Sequence, residues 1–277
     1  MIKRILVGVA GTPALPSKIK CVIDLAQRHG AEIGVLSVVD VDRLAKVGSV
    51  PLGAGHYAWR LRDKRIERSH SLDENAIARF EEACKEADVP LHVIRSEKDP
   101  LKTLTELTRY YDLCVLGARG WFDYQVMPEP RNALLNVIAG GVRPILAITE
   151  GMDSVRRAVI GYNGSIESAR TMRNFIQLAL WPEMEVHIVC VGNPKTGERR
   201  EDLIDAAATC VRTHGFDPIL AHCEGDPSKA LRDYAAGVNA GVIAIGSSCR
   251  RVLLNRRFGK NVRTLLETSD LTLFLCN

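Results

Sequence analysis

Along the chain, short apolar runs alternate with longer segments in which apolar residues recur every three or four positions. Ile5-Leu6-Val7 and Cys114-Val115-Leu116 are examples of the runs, and Ile19, Val22, Ile23 and Ala26 of the helical stripes. This alternation predicts βα units and a parallel sheet. The first stripe ends at Gly30, which suits a helix C-terminus because it takes a left-handed conformation without a Cβ clash. A second stripe, Leu72, Ala76, Phe80, Cys84 and Ala87, is predicted to open at the capping box Ser71-x-x-Glu74 and to stop before Pro90. Asp99-Pro100 and Asp226-Pro227 each set an N-cap acceptor before a proline suited to the first helical turn, so both aspartates are expected to be structural.

The pattern occurs twice. Arg4 to Thr12, with Gly8 and Gly11, returns as Arg157 to Ser165, with Gly161 and Gly164. Glu97-Lys98-Asp99-Pro100 returns as Glu224-Gly225-Asp226-Pro227, Asp112 to Gly117 as Gly241 to Gly246, and Pro144 to Ile148 as Thr272 to Cys276. Four matches in one order point to a duplication, with units at 1–150 and 155–277. The terminal strands, 144–148 and 272–276, are candidates to pair either within one chain or between two. First strand to Asp-Pro takes 99 − 4 = 95 residues in the first unit and 226 − 157 = 69 in the second, so the first carries about 26 more. They lie around 41–68 and include Tyr57 and Trp59; a loop of that length is commonly a lid, an interface or a disordered segment.

Composition adds mostly exclusions. Of 277 residues, 46% are hydrophobic and 25% charged, as in an ordinary globular chain. No apolar run reaches the roughly 18 residues of a membrane span, and the start of the chain shows no signal-peptide pattern, so a cytoplasmic location is expected. The net charge of +4 splits evenly: 21 basic against 19 acidic residues up to position 150, and 16 against 14 beyond it. On that balance neither nucleic acid nor membrane is expected as a partner. The eight cysteines are scattered, with no CxxC pair and no histidine at zinc spacing, so reduced, mostly buried thiols and no metal site are expected. P-loop, nucleophile-elbow, zincin and kinase motifs are absent, and His92, His187 and His222 are expected as structural residues in or near strands.

In an open parallel sheet, ligands bind beyond the carboxyl ends of the strands. Each unit marks two such ends with glycine, after its first and fourth strands. In the second unit the later loop runs from Gly246 to Asn261 and is rich in arginine, with Lys260 at its end. Free amides at a helix start beside basic residues suit a phosphate, although a solvated basic loop reads the same way.

The repeated unit resembles the universal stress protein domain, and the whole chain resembles a tandem member of that family. The resemblance implies two Rossmann-like α/β domains of the adenine-nucleotide α-hydrolase type, each a five-stranded parallel sheet with helices on both faces. It also implies an adenine-nucleotide site built from an aspartate after the first strand and a G-x2-G-x9-G-[ST] loop after the fourth. In the first unit Gly11, Thr12, Gly117 and Gly120 match, but Ala10 replaces the aspartate and Pro130-Arg131 replace Gly-[ST]. Trp121, Phe122, Asp123, Tyr124 and Glu129 crowd that loop. In the second unit Asn163 replaces the aspartate, Gly164 and Ser165 follow in pattern, and Gly246 and Gly259 keep the outer glycines. Cys249 stands at the middle glycine, where a tight turn makes a Cβ costly. Lys260 replaces the Ser/Thr after the last glycine and is a candidate point charge for a phosphate, Asn261 follows it as a further candidate contact, and the resemblance puts the backbone of Val191 against adenine.

These readings converge on a non-catalytic stress-response factor that binds ATP or AMP, with Mg if ATP, in its second unit. The two units are expected to pack as a pseudo-dimer, and a homodimer is a further expectation. The alternatives are a nucleotide-free scaffold acting through the sheet edge or the 41–68 insertion, and a redox-responsive protein acting through Cys249.

Overall fold

The computed structural model describes residues 2–9, 12–39, 41, 55–118, 130–152, 154–193, 197, 199–247, 249–252, 255–268 and 270–276. Of the sequence expectations, those on Ala10, Gly11, residues 42–54, Gly120, Trp121, Phe122, Asp123, Tyr124 and Glu129 fall outside these residues.

The first half contains β1 (Arg4–Gly8), α1 (Leu15–His29), β2 (Glu32–Val38), α2 (Gly55–Glu86), β3 (Leu91–Ser96), α3 (Pro100–Leu107), β4 (Leu113–Gly117), α4 (Pro130–Gly140) and β5 (Ile145–Ile148). The second repeats that order with β6 (Arg157–Gly161), α5 (Ile166–Leu178), β7 (Glu185–Val191), α6 (Arg200–Arg212), β8 (Ile219–Cys223), α7 (Pro227–Gly237) and β9 (Val242–Gly246). A hairpin, β10 (Cys249–Val252) and β11 (Asn255–Phe258), then precedes α8 (Lys260–Thr268) and β12 (Thr272–Cys276).

Ten strands form one sheet in the order β3-β2-β1-β4-β5-β12-β9-β6-β7-β8. Pairing is parallel within each half. The halves meet at β5 and β12, which pair antiparallel with Leu273 opposite Ala147, Phe274 opposite Leu146 and Leu275 opposite Ile145. The terminal strands therefore pair within the chain, closing two edges that each half would otherwise leave open.

Strand alternation sends neighbouring residues to opposite faces. Ile5, Val7, Ile160, Ala244 and Phe274 enter one core beneath α1, α2, α5 and α6, where the Phe175 and Phe274 rings meet edge to face at 5.0 Å. Leu6, Leu116, Ile243, Ile245 and Leu275 enter the other, beneath α3, α4, α7 and α8. Each core contains residues of both halves, so burial as well as pairing holds them together.

The expected punctuation is present. Asp99 accepts from the Lys102 amide at 2.8 Å, Asp226 accepts from the Ser228 and Lys229 amides at 3.1 and 3.2 Å, and Gly30 ends α1 at φ 59°. The capping box does not hold. Helix α2 runs unbroken from Gly55, so Ser71 is a mid-helix residue whose carbonyl accepts from Asn75, and Glu74 pairs with Arg95 at 3.1 Å. Ser-x-x-Glu is compatible with an exposed helix interior, and the Arg- and Lys-rich stretch before it favours helix. The insertion therefore contributes several turns of helix.

The first rung of each half is polar. Arg4 pairs with Glu32 in one half and Arg157 with Glu185 in the other. In the second half Glu185 Oε1 also lies 2.9 Å from His187 Nε2, and His187 Nδ1 lies 2.9 Å from the Tyr234 hydroxyl. His187 is buried, and this chain satisfies both of its ring nitrogens. His92 likewise contacts the Tyr111 hydroxyl, at 2.6 Å, as expected of a structural histidine. Hydrogen bonds from His187 and then Arg157 hold the Glu185 carboxyl below its ordinary pKa. Stability from this group is therefore present above the unfolded value near 4.3 and lost as pH falls through the lower folded value. Denaturant titrations between about pH 5 and 3 should show this loss, and Glu185→Gln should remove that part of the pH dependence.

Candidate functional site

Beyond the carboxyl ends of β6, β7 and β9 lies a cavity of about 100 Å³. Asn163, Ser165, Val191, Gly246, Gly259 and Asn261 line it, bringing together six positions singled out in the second unit. The turn from β6 into α5 supplies the first two. Gly164 sits at φ 79°, a conformation that favours glycine, and lets the chain turn into the helix. Asn163 Oδ1 accepts from the Ser165 amide at 3.1 Å, and Ser165 caps α5 by accepting from the Ser168 amide at 3.2 Å. An amide oxygen has two lone pairs, so Asn163 retains one acceptor site after this turn is made.

Gly246 has a different reason to be glycine from the one expected. A Cβ there would stand 2.6 Å from the Glu167 carbonyl carbon, 2.7 Å from its oxygen and 2.9 Å from the Ser168 amide nitrogen. The end of β9 is thus pressed against the first turn of α5, so backbone packing alone requires the glycine. Val191 closes β7, and Asn261 approaches from the start of α8, where Ser228 of α7 reaches its side-chain oxygen at 3.4 Å. Sequence reasoning missed Tyr162, Glu167, Leu231, Ile245 and Val262, which also line the cavity. Leu231 and Val262 read as ordinary core positions on apolar helix stripes, and only the close approach of α7 and α8 turns them into walls.

Two other positions stand apart. Lys260 does not line the cavity; its ammonium lies 3.8 Å from Asp226 Oδ2, with 84% of its side chain exposed. Cys249 begins a hairpin strand and pairs with Phe258, so its backbone is extended, and the tight turn that the family pattern places here, and that a Cβ makes costly, is absent. Its side chain lies outside the described residues. The other seven cysteines are free thiols, five of them buried. Burial raises the Cys21 thiol to about 12 and Cys84 to about 11, well away from the thiolate form.

The hairpin sets Arg250 opposite Arg257 and Arg251 opposite Arg256. At its base the Ser247 hydroxyl is buried without a hydrogen-bond partner. Since Gly246 and Gly259 both line the cavity, the hairpin is rooted in the cavity wall at both ends.

The corresponding region of the first half is built otherwise. Lys18 of α1 is fully buried and donates to the Gly8 carbonyl at 2.8 Å, at the carboxyl end of β1. Burial lowers its pKa to about 8, and the Asp73 charge partly opposes that shift. Asp73 in turn accepts from the Ser37 hydroxyl at 2.7 Å. Thr12 is buried with an unpartnered hydroxyl, and Gly117 is the buried last residue of β4. A fixed side-chain cation thus occupies the interior at the end of β1.

The family model for the universal stress protein family matches residues 1–142. No curated protein sequence matches the chain. Among solved structures, a universal stress protein from Archaeoglobus fulgidus DSM 4304 aligns at TM-score 0.71 and 16% identity, over 99% of this chain and 98% of that one. A functionally unknown protein from Pseudomonas aeruginosa PAO1 aligns at TM-score 0.62 and 14% identity, over 99% and 92%. At these identities the likeness shows a shared fold across both halves.

Two outcomes test this geometry. Gly246→Ala should destabilise the chain by about 1 to 3 kcal/mol in denaturant unfolding, because the obstruction is backbone. Because the folded pKa of Lys18 lies below its unfolded value, wild-type stability should rise between about pH 8 and 10.5, and Lys18→Met should flatten that rise.

Proposed function

We propose that this chain, which belongs to the universal stress protein family, binds an adenine nucleotide in its second half and acts by occupancy rather than catalysis. The observation that carries the reading is the convergence of Asn163, Ser165, Val191, Gly246, Gly259 and Asn261 on one cavity at the carboxyl edge of the sheet. Apolar walls from Val189, Val191, Leu231 and Ile245 suit a flat base, and the remaining Asn163 acceptor site suits its exocyclic amine. The phosphates would lie toward the hairpin, which carries four arginines in its sequence and at whose base the buried, unpartnered Ser247 hydroxyl could donate to an anion.

The enclosed space of about 100 Å³ is below the roughly 300 to 1,000 Å³ of pockets that surround a drug-sized ligand. A nucleotide would therefore be held with part of it outside, against the hairpin. Binding would couple to hairpin position, since a ligand shifts an equilibrium only by preferring one state. Buried Lys18 disfavours a second equivalent site in the first half. The same small volume supports a second reading, a nucleotide-free scaffold of the same fold.

Denaturing extraction of the purified protein, chromatography of what is released, and calorimetric titration of ATP and AMP into the stripped protein decide between them. Co-purified or micromolar-binding nucleotide is expected. Leu231→Trp, which fills the cavity, should abolish binding, and Asn163→Ala should weaken it about tenfold for one lost polar contact. Lys260→Ala should cost less than Asn163→Ala, because Lys260 is exposed and faces Asp226. No released nucleotide and no heat at millimolar ATP or AMP would leave the scaffold reading.

A further inference from the structure

The duplication provides an internal control on what the fold requires. Helix α2 has 32 residues, and α6, which holds the same place in the second half, has 13. The additional 19 residues, about 28 Å of helix, have no counterpart and are not needed to cover a sheet of this design. No residue described from His56 to Arg68 is buried; the first buried position is Ser69, where α2 reaches the body of the protein. The first four turns of α2 are thus an arm continuous with a helix anchored farther on by Ala76, Ile77, Phe80 and Cys84.

Charge is concentrated on this arm. Between His56 and Arg68 stand Arg60, Arg62, Lys64, Arg65 and Arg68 against Asp63 and Glu67, a surplus of three in a chain whose formal net charge is +4. Arg60, Lys64 and Arg68 recur at i, i+4 and i+8, so they form one stripe about 6 Å apart. All three are exposed on the side away from Ser69 and Asp73, and among the described residues none makes an ion pair. Like charges at this spacing weaken a helix. One position before the stripe and about 100° round the helix from Arg60, Trp59 is 69% exposed, with the Arg62 guanidinium 5.9 Å from its ring centroid.

We propose that the first four turns of α2 form a docking arm for single-stranded nucleic acid. The Arg60, Lys64 and Arg68 stripe would follow the phosphates, and Trp59 would stack a base. A lipid surface fits less well. A helix lying in a membrane interface needs a broad apolar face, and here the charged positions 60, 62, 63, 64, 65, 67 and 68 recur on every side of the helix. The even split of charge between the two halves argued against a nucleic-acid partner, but it averages over this stripe.

Fluorescence anisotropy of the full chain with a labelled single-stranded RNA of about 20 nucleotides, and with the same sequence as DNA, tests the arm. Binding that falls steeply with salt is expected. The triple variant Arg60→Gln, Lys64→Gln, Arg68→Gln should weaken it at least tenfold and lower the log–log salt slope by about 2, three contacts at about 0.7 each for a single strand. Trp59→Ala should weaken it about tenfold while leaving the slope unchanged. All of these side chains are exposed or half-buried, so helix content and unfolding midpoint should match wild type, which separates lost binding from lost folding. No binding at about 50 mM salt, or equal binding by wild type and triple variant, would overturn the proposal. So would Trp59-dependent binding to phosphatidylserine vesicles without binding to either oligonucleotide.

Discussion

The antiparallel pairing of β5 with β12 is the contact on which the rest depends. Without it each half would present an open apolar strand, and Phe274, Leu146 and their neighbours would line two exposed seams. With it, ten strands become one sheet whose two cores cross the junction without interruption. Each core then covers a larger area than either half could bury alone, and the fraction of surface removed from water rises with size. The halves are therefore better regarded as one structure with internal symmetry than as two beads on a string.

That symmetry is broken where chemistry would occur. The same βα turn that in the second half leaves a polar cavity floored by Asn163 and Ser165 is, in the first, occupied by Lys18 on the Gly8 carbonyl. The same crossover that takes 13 helical residues in α6 takes 32 in α2. A duplicated chain can retain one copy of a site and release the other copy for different use, because the shared cores keep the fold intact in both. Membership of the universal stress protein family accounts for what the halves share; Lys18 and the α2 arm are where this chain departs from its own repeat.

Much of the fold was legible because its signals are local and doubled. Asp99-Pro100 and Asp226-Pro227 announce helix starts by hydrogen-bond chemistry that needs no tertiary context, and Gly30 announces an end in the same way. The start of α2 was not legible, since Ser71-x-x-Glu74 satisfies a helix interior as well as a cap, and a polar helix arm has no apolar stripe to reveal it. Six positions of the cavity could be named from glycine spacing and the family resemblance. The apolar walls could not, because Leu231 and Val262 differ from core residues only in facing a gap. Lys18 was invisible for the opposite reason: a lysine in an amphipathic helix reads as exposed, and only the packing of α1 on the end of β1 buries it.

Strand polarity has a consequence for how this molecule meets its surroundings. Because the two halves join antiparallel, their strands run in opposite directions, and the carboxyl edge of one half lies at the amino edge of the other. The cavity bounded by Asn163 and Gly259 and the origin of α2 are thus set on opposite rims of a single plate. The nucleotide proposed for one rim and the partner proposed for the other would therefore not compete for space. The rigid strands between them would fix the distance at which one is presented to the other.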